Sequence, residues 1–358
     1  MQEFIDFIFL EVWCKAPIGL PFHAQLFDDN PVLKGVIVEF GFSAQAPERG
    51  KVFYKDVKAI YGLFASLTPP DIYQFKQWYR ANNDIENVCA NDPTIQLLRY
   101  KDIFATHAAL GKQLAVFFRS LYDSSFLGLS AIKGIIGNIK DHNKKFFETN
   151  KVGKCPFCGI NDLKGIHHTR REAYDHYLPK YRYPFNSINF RNLAPACYEC
   201  NSTYKLTKDP AHNPTGRRKA FYPYAAAEHS IDIQIALKHA NIEKLKPSDV
   251  QMQFGPAAIT EEIETWKDVY GIEERYKAKL CSPDANDWIE EFRLLNRRRL
   301  IPAKEYLEDL EGLDSFSNCN FLRRAFLRAF NEIGILETFE QYKDDNAEYE
   351  NGKEGKGK

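Results

Sequence analysis

The sequence predicts an α+β fold in three parts, and three observations carry the prediction. Residues 1–150 open on β-branched and aromatic runs and then pass into helical periodicity. Residues 151–224 hold two Cys-x-x-Cys pairs around a polar segment. From Ile259 to about Tyr342, apolar residues recur at helical spacing. A chain of 358 residues is long enough for two or three separate cores, and 44% hydrophobic with 14% aromatic content is globular.

Taken in order, Phe4–Trp13 and Val32–Phe42 read as strands, with Pro- and Gly-bearing turns between them. Val57, Ile60, Tyr61, Phe64 and Leu67 then mark a helix. Thr68-Pro69-Pro70 ends it and starts the next one, through Ile72, Phe75, Trp78 and Tyr79. A further helical stretch runs from about Ile95 to Tyr122, and a last one approaches Phe147. His23, His107 and His142 stand apart from other ligand types, so 1–150 is an N-terminal α+β domain without a chemical motif, suited to docking a partner or substrate.

Beyond the central module, Phe221-Tyr222-Pro223-Tyr224 closes a basic stretch, and Ile231–Leu237 and Val250–Phe254 read as short strands. The C-terminal domain, 225–342, is mostly helical, with Trp266, Val269, Tyr270 and Ile272 at core positions. Arg297, Arg298 and Arg299, with Arg323 and Arg324, are read as solvated helix faces ahead of phosphate contacts. The Gly/Lys-rich tail, 343–358, is expected to be disordered.

Charge divides unevenly along the chain. Lys+Arg and Asp+Glu balance at 48 each, so the whole molecule offers nucleic acid no net attraction. Residues 151–224, however, hold 13 Lys/Arg against 5 Asp/Glu, a net of +8, while 225–358 carries a net of −8. A basic block there suits a phosphate backbone, although uneven surface charge alone would produce the same count.

The N-terminus, Met1-Gln2-Glu3-Phe4-Ile5-Asp6, has acids where a secretory signal needs basic residues, and no run approaches the length of a membrane-spanning helix. The expected location is cytoplasmic, where paired cysteines read as metal ligands rather than disulfides. Cys155-Pro-Phe-Cys158 and Cys197-Tyr-Glu-Cys200 supply the four thiolates of a tetrahedral zinc site. The 38 residues between the pairs exceed a simple zinc ribbon, so something must be built inside the gap. Cys14, Cys89, Cys281 and Cys319 lie alone and read as inert thiols.

Inside the gap lies Asp175-His176. Histidine suits proton abstraction from water near neutral pH, and aspartate is a hard oxygen ligand for Mg²⁺ or Mn²⁺. Neighbours in a regular strand face opposite ways, so the pair serves one site only where the strand ends or bends; Pro179 fits such an end. His167 and His168 read first as residues beside the site, with His168 as an extra ligand the alternative.

The ordered motifs CPxCG, DHxLPK, NLxPxCxxCN and a trailing Lys205, spanning Cys155 to Lys205, closely resemble the HNH endonuclease family. The resemblance implies a ββα-metal core, two strands and a helix around one catalytic metal, hydrolysing phosphodiester bonds, in DNA ahead of RNA. It implies His176 as general base, Asp175 and Asn201 as ligands of Mg²⁺ or Mn²⁺, and Asn192 as the brace of the loop carrying His176. Cys155, Cys158, Cys197 and Cys200 would hold structural zinc. The basic residues Arg170, Arg171, Lys180, Lys205, Arg217, Arg218 and Lys219 would meet phosphate. The third motif letter is Asn201 rather than His, which narrows the metal toward hard cations, and Tyr181 stands where many relatives have a small polar residue.

With the flanking FYPY and Glu264–Tyr276 segments, the pattern resembles bacterial HNH proteins of Septu-type anti-phage systems, which implies an ATPase partner. Two rivals stay open: a non-catalytic zinc-stapled nucleic-acid-binding or scaffold subunit, and a CxxC redox protein, for which the βαβ context around Cys155 is lacking.

Overall fold

A computed structural model describes residues 2–122, 126–136, 139–150, 153–165, 167–226, 229–239, 241–299 and 301–334. The expected disordered tail, 343–358, and residues 335–342 of the C-terminal domain lie outside the described residues. The fold is predominantly helical with three small antiparallel strand pairs among the described residues. No helix among them is long and apolar enough to cross a membrane. The chain divides into two compact units, residues 1–157 with 162–226, and residues 158–161 with 227–358.

The first unit opens in helix, which corrects the strands expected before residue 50. Helix α1 (Gln2–Phe7) continues through tighter and wider turns to Ile18, and α2 spans Pro31–Phe42. Phe4, Ile5, Ile8, Phe9, Val12 and Trp13 are all buried, at the i, i+1, i+4, i+5 spacing of one helical face. In α2 the buried set is Leu33, Val36, Ile37 and Phe40, behind a cap in which Asn30 accepts from Leu33 N and Pro31 takes the first turn. Period and cap outweigh the β propensity of the individual residues.

Helices α3 (Glu48–Phe64), α4 (Pro69–Asn83), α5 (Ile85–Cys89), α6 (Tyr100–Thr106), α7 (Ala108–Leu121), α8 (Ser130–Ile136) and α9 (Ile139–Thr149) follow. Thr68 and Asp71 form a reciprocal capping box at the head of α4, where Thr68-Pro69-Pro70 predicted a start. The stretch read as one helix from Ile95 to Tyr122 is extended to Arg99 and then broken at His107 between α6 and α7. No strand occurs among the described residues of 1–150.

Residues 1–150 and all of 151–224 except 158–161, read separately from the sequence, fall in one unit, in which the segment 182–192 is anchored in the helices. Phe185 is fully buried among Phe9, Tyr79 and Phe118, with ring centroids 5.1 to 5.5 Å apart. Asn82 at the end of α4 donates to Leu98 O and Pro184 O and accepts from Leu98 N, while Asn186 donates to Asn82 O and Asn189 to Asn83 O. Phe185 reaches its place with φ of +79°, a left-handed conformation costly for a bulky residue. Phe185→Ala is expected to cost about 3–5 kcal/mol in urea unfolding through the cavity left behind.

In the second unit, β5 (Asp232–Leu237) pairs with β6 (Val250–Gly255), close to both expected strands. Along β5, Ile233 and Ile235 face inward while Asp232, Gln234 and Ala236 face out, and α14 (Asn320–Glu332) packs against this strand. Helices α10 (Thr260–Tyr270), α11 (Ile272–Leu280), α12 (Pro283–Arg299) and α13 (Ala303–Glu311) complete the unit, with Val269, Tyr270 and Ile272 buried and Trp266 half-buried. Arg323 and Arg324 are not the solvated faces expected. Arg323 is buried on Glu291 at 3.0 Å and on the Tyr306 hydroxyl, and Arg324 donates to backbone carbonyls of Leu310, Glu311 and Asn320. The side chains of Arg297, Arg298 and Arg299 lie outside the described residues.

Candidate functional site

Two short strands carry the central motif. β1 (Tyr174–His176) pairs antiparallel with β2 (Leu193–Pro195), setting Asp175 opposite Ala194 and His176 opposite Leu193. Tyr224, from the FYPY segment, donates its hydroxyl to Leu193 O. Residues Glu199–Lys205 then form a short, wide helical run, in which Leu206 N reaches Asn201 O five residues back. The hairpin β3–β4 (His212–Asn213, Gly216–Arg217) follows.

The four paired cysteines are all buried, and their sulfurs lie within 4.8 Å of one another. Sulfurs held about 2.3 Å from a tetrahedral zinc stand about 3.8 Å apart, so this set offers the donors and spacing of a zinc site. Backbone amides already turn onto the sulfurs: Cys197 N donates to Cys155 Sγ and Cys200 N to Cys197 Sγ. Gly159, directly after the first pair, has φ of +68°, which its missing Cβ makes inexpensive. All eight cysteines are free thiols; Cys14, Cys89 and Cys319 are buried and Cys281 half-buried. No other group of three or more His, Cys, Asp or Glu suited to a metal occurs among the described residues, and His167 and His168 are exposed.

Strand alternation sends Asp175 and His176 to different neighbours. Asp175 Oδ1 receives Lys205 Nζ at 2.8 Å, and the same ammonium donates to His176 O at 2.7 Å. Both partners are almost fully buried, at 3% and 1% exposure, so Lys205 is internal rather than on the surface expected for a phosphate contact. Asn201 lies four residues before Lys205 on the same helical run, and its backbone carbonyl accepts from Leu206 N. Breaking one partner of a buried ion pair leaves an uncompensated charge. Lys205→Met is therefore expected to lower stability by about 3–5 kcal/mol, read from urea unfolding.

His176 is held from the other side. Its Nε2 lies 3.0 Å from Ser187 O, and a carbonyl only accepts, so Nε2 carries the proton and Nδ1 keeps its lone pair. Ser187 is itself fixed by donating to Phe118 O on α7. Tyr122 packs edge-on to the imidazole, with centroids 4.2 Å apart. Burial, then the nearby Lys180 charge and the Lys205 ammonium, hold the imidazole pKa down from 6.5 to about 3, so it is neutral around pH 7. The unfolded chain protonates this group near its ordinary pKa while the folded one does not. Its contribution to stability is therefore lost as pH falls from 6.5 toward 3. Urea midpoints measured without added divalent metal should fall more steeply over that range for the wild type than for His176→Gln.

Asn192 is fully buried and ties the loop together. Its Oδ1 accepts from Leu178 N at 2.7 Å, its Nδ2 donates to Leu178 O and Asn186 O, and its carbonyl accepts from Tyr177 N. The basic residues separate into two groups. Arg217 donates to Val88 O, Asp92 O and Ile95 O, and the buried Arg218 to Asp209 O, so both clamp backbone where phosphate contacts were expected. Arg170, Arg171 and Lys219 are exposed, and Lys180 is half-buried with its ammonium over the Tyr122 ring.

Sequence reasoning missed Ser187, which acts through its backbone carbonyl and leaves no side-chain signature, and Tyr122, which belongs to a distant helix end. It also missed a buried cluster in which Tyr183 donates to Asp209 at 2.7 Å and lies 2.8 Å from His212 Nδ1. Burial and the Asp209 charge raise the Tyr183 phenol far above its ordinary value.

Fold and site together define a protein with a buried four-cysteine cluster, carrying the donors of a metal site, beside a polar hairpin that orients one neutral histidine. The chain is 35% identical over 65 residues to the Septu protein PtuB of Bacillus thuringiensis, covering 17% of this chain and 24% of that protein. It is 34% identical over 97 residues to Protein ea31 of Escherichia phage lambda, covering 24% of this chain and 28% of that protein. The chain thus spans about a quarter of the length of the curated relatives it matches. No family model matches it, and no solved structure matches it.

Proposed function

We propose that this protein is an HNH-type endonuclease that hydrolyses phosphodiester bonds of nucleic acid, DNA in the first place. The observation that carries the reading is the setting of His176: Nε2–H anchored on Ser187 O, the ring neutral, and Nδ1 left as the proton acceptor for an attacking water. Asn192 positions the loop on which that geometry depends. The four cysteines hold structural zinc.

Asp175 on β1 and Asn201 on the helical run whose Lys205 reaches Asp175 are the carboxylate and amide oxygens that would hold Mg²⁺ or Mn²⁺. When bound, such an ion stabilises charge developing on the phosphate and leaving oxygen. Lys205 keeps the Asp175 side chain in place and compensates its charge in the absence of the ion. The likeness to the Septu protein PtuB supports a role in anti-phage defence, and an ATPase partner rests on the resemblance of the flanking sequence segments alone.

The test is plasmid nicking by zinc-loaded protein, with and without the ATPase partner: dependence on added Mg²⁺ or Mn²⁺ is expected. The buried Asp175–Lys205 pair favours a second reading, a zinc-stapled nucleic-acid-binding subunit without catalysis, in which Asp175 is purely structural. Nucleic-acid binding without cleavage under any divalent metal would select it.

A further inference from the structure

Beside His176 runs a groove of about 1030 Å³ that no acidic side chain lines among the described residues. Tyr122, which packs against the His176 ring, forms part of its wall. Five cations line it: Arg171 and Lys180 from the central motif, and Arg119, Lys133 and Lys140 from helices α7, α8 and α9. The last three come from the part of the chain whose charges cancel in sequence, so the fold gathers a field that composition does not reveal.

Aromatic faces lie among these cations. Tyr181 is 59% exposed. The Arg119 guanidinium sits 5.0 Å from the Tyr181 ring and 5.5 Å from that of Tyr100, and the Lys180 ammonium sits 4.8 Å from Tyr122 and 5.6 Å from Tyr181. The buried Arg119 Nε has no hydrogen-bond partner among the described residues, and no carboxylate pairs with Arg119, Lys133 or Arg171 among them. A cationic track with an accessible aromatic platform is the chemistry that receives unpaired nucleotides: phosphates on the cations, a base on the ring. A duplex keeps its bases stacked inside and gives Tyr181 nothing to stack on.

We propose that this groove binds a single-stranded stretch of nucleic acid, with its backbone along Arg119, Lys133, Lys140, Arg171 and Lys180 and one base stacked on Tyr181, leading the strand past His176. The proposal deepens the nuclease reading by naming its substrate class, and it is tested by binding rather than by cleavage. The probes are a fluorescein-labelled oligothymidylate and a mixed-sequence duplex of equal length. Anisotropy is followed over a salt series with the zinc-loaded full chain and no Mg²⁺ or Mn²⁺ added.

Tighter binding of the single strand is expected. Tyr181→Ala should weaken it roughly 5- to 150-fold, the equivalent of about 1–3 kcal/mol for one stacked base, and leave duplex affinity unchanged. Lys133→Gln with Lys140→Gln, two exposed positions that do not threaten the fold, should lower the salt slope by about 1.4, roughly 0.7 for each phosphate no longer neutralised. Adding Arg119→Gln should lower it further. Wild-type affinity and slope in these variants, equal or tighter duplex binding, or no binding of the oligothymidylate would each overturn the proposal. Groove binding as expected without metal-dependent cleavage retires the nuclease and keeps the groove. Cleavage by a protein whose groove variants bind and cut like the wild type does the reverse.

Discussion

His176→Ala is expected to lower the rate of metal-dependent cleavage by about 10²–10⁴-fold, the usual contribution of a positioned general base. Zinc content and far-UV circular dichroism should stay at wild-type values, because His176 is not one of the four clustered cysteine ligands and its ring makes one backbone hydrogen bond, to Ser187 O. The physical reason for the loss is specific to one nitrogen. Ser187 O fixes the proton on Nε2, and Ser187 is in turn held by Phe118 O, so the ring has one orientation in which Nδ1 accepts. The low pKa keeps that nitrogen unprotonated at neutral pH but makes it a weak base, and a divalent ion held by Asp175 and Asn201 would supply the acidification of water that the imidazole alone lacks. His176→Gln tests the same point differently: an amide can still donate to Ser187 O but supplies no basic nitrogen, so it should preserve loop order and fail to cut. A wild-type cleavage rate in either variant under Mg²⁺ sinks the assignment of His176.

What the sequence made legible was local. The cysteine pairs lie in contiguous motifs, and their sulfurs converge as the spacing implied. Thr68-Pro69-Pro70 announced a helix start, and the β5 and β6 runs alternate as strands do. The opening strands were misread because Ile, Val and Phe favour strands one residue at a time, whereas burial follows their spacing. Phe4, Ile5, Ile8 and Phe9 fill one helical face that a pure propensity count ignores. The surroundings of His176 were illegible for another reason. Ser187 works through a backbone carbonyl, Tyr122 and Arg119 arrive from the end of α7, and the left-handed Phe185 that pins their loop is bulky where such a turn predicts glycine. Lys205 looked like a phosphate ligand from its place after the motif. Nothing local reveals that its ammonium turns inward to Asp175.

Cys200→Ser should have a different and broader effect than His176→Ala, and the contrast separates frame from chemistry. Structural zinc sites in small peptides carry an apparent binding free energy of about 10–16 kcal/mol at pH 7, comparable to the roughly 5–15 kcal/mol that stabilises a typical domain. Removing one thiolate is therefore expected to abolish stoichiometric zinc, measured by metal analysis, and to expose the segment 174–205 to limited proteolysis. Cys200 lies within the helical run that carries Asn201 and Lys205. Freeing its start removes the anchor that brings Lys205 to Asp175, and a buried carboxylate without its ammonium pulls β1 out of register with β2. Cleavage and fold should consequently fail together in Cys200→Ser, with partial recovery on adding excess zinc only if the remaining three thiolates still close the site. His176→Ala should lose cleavage alone. A Cys200→Ser protein that keeps its zinc, resists protease across 174–205 and still cuts would show that the cysteines are not the frame on which this hairpin depends.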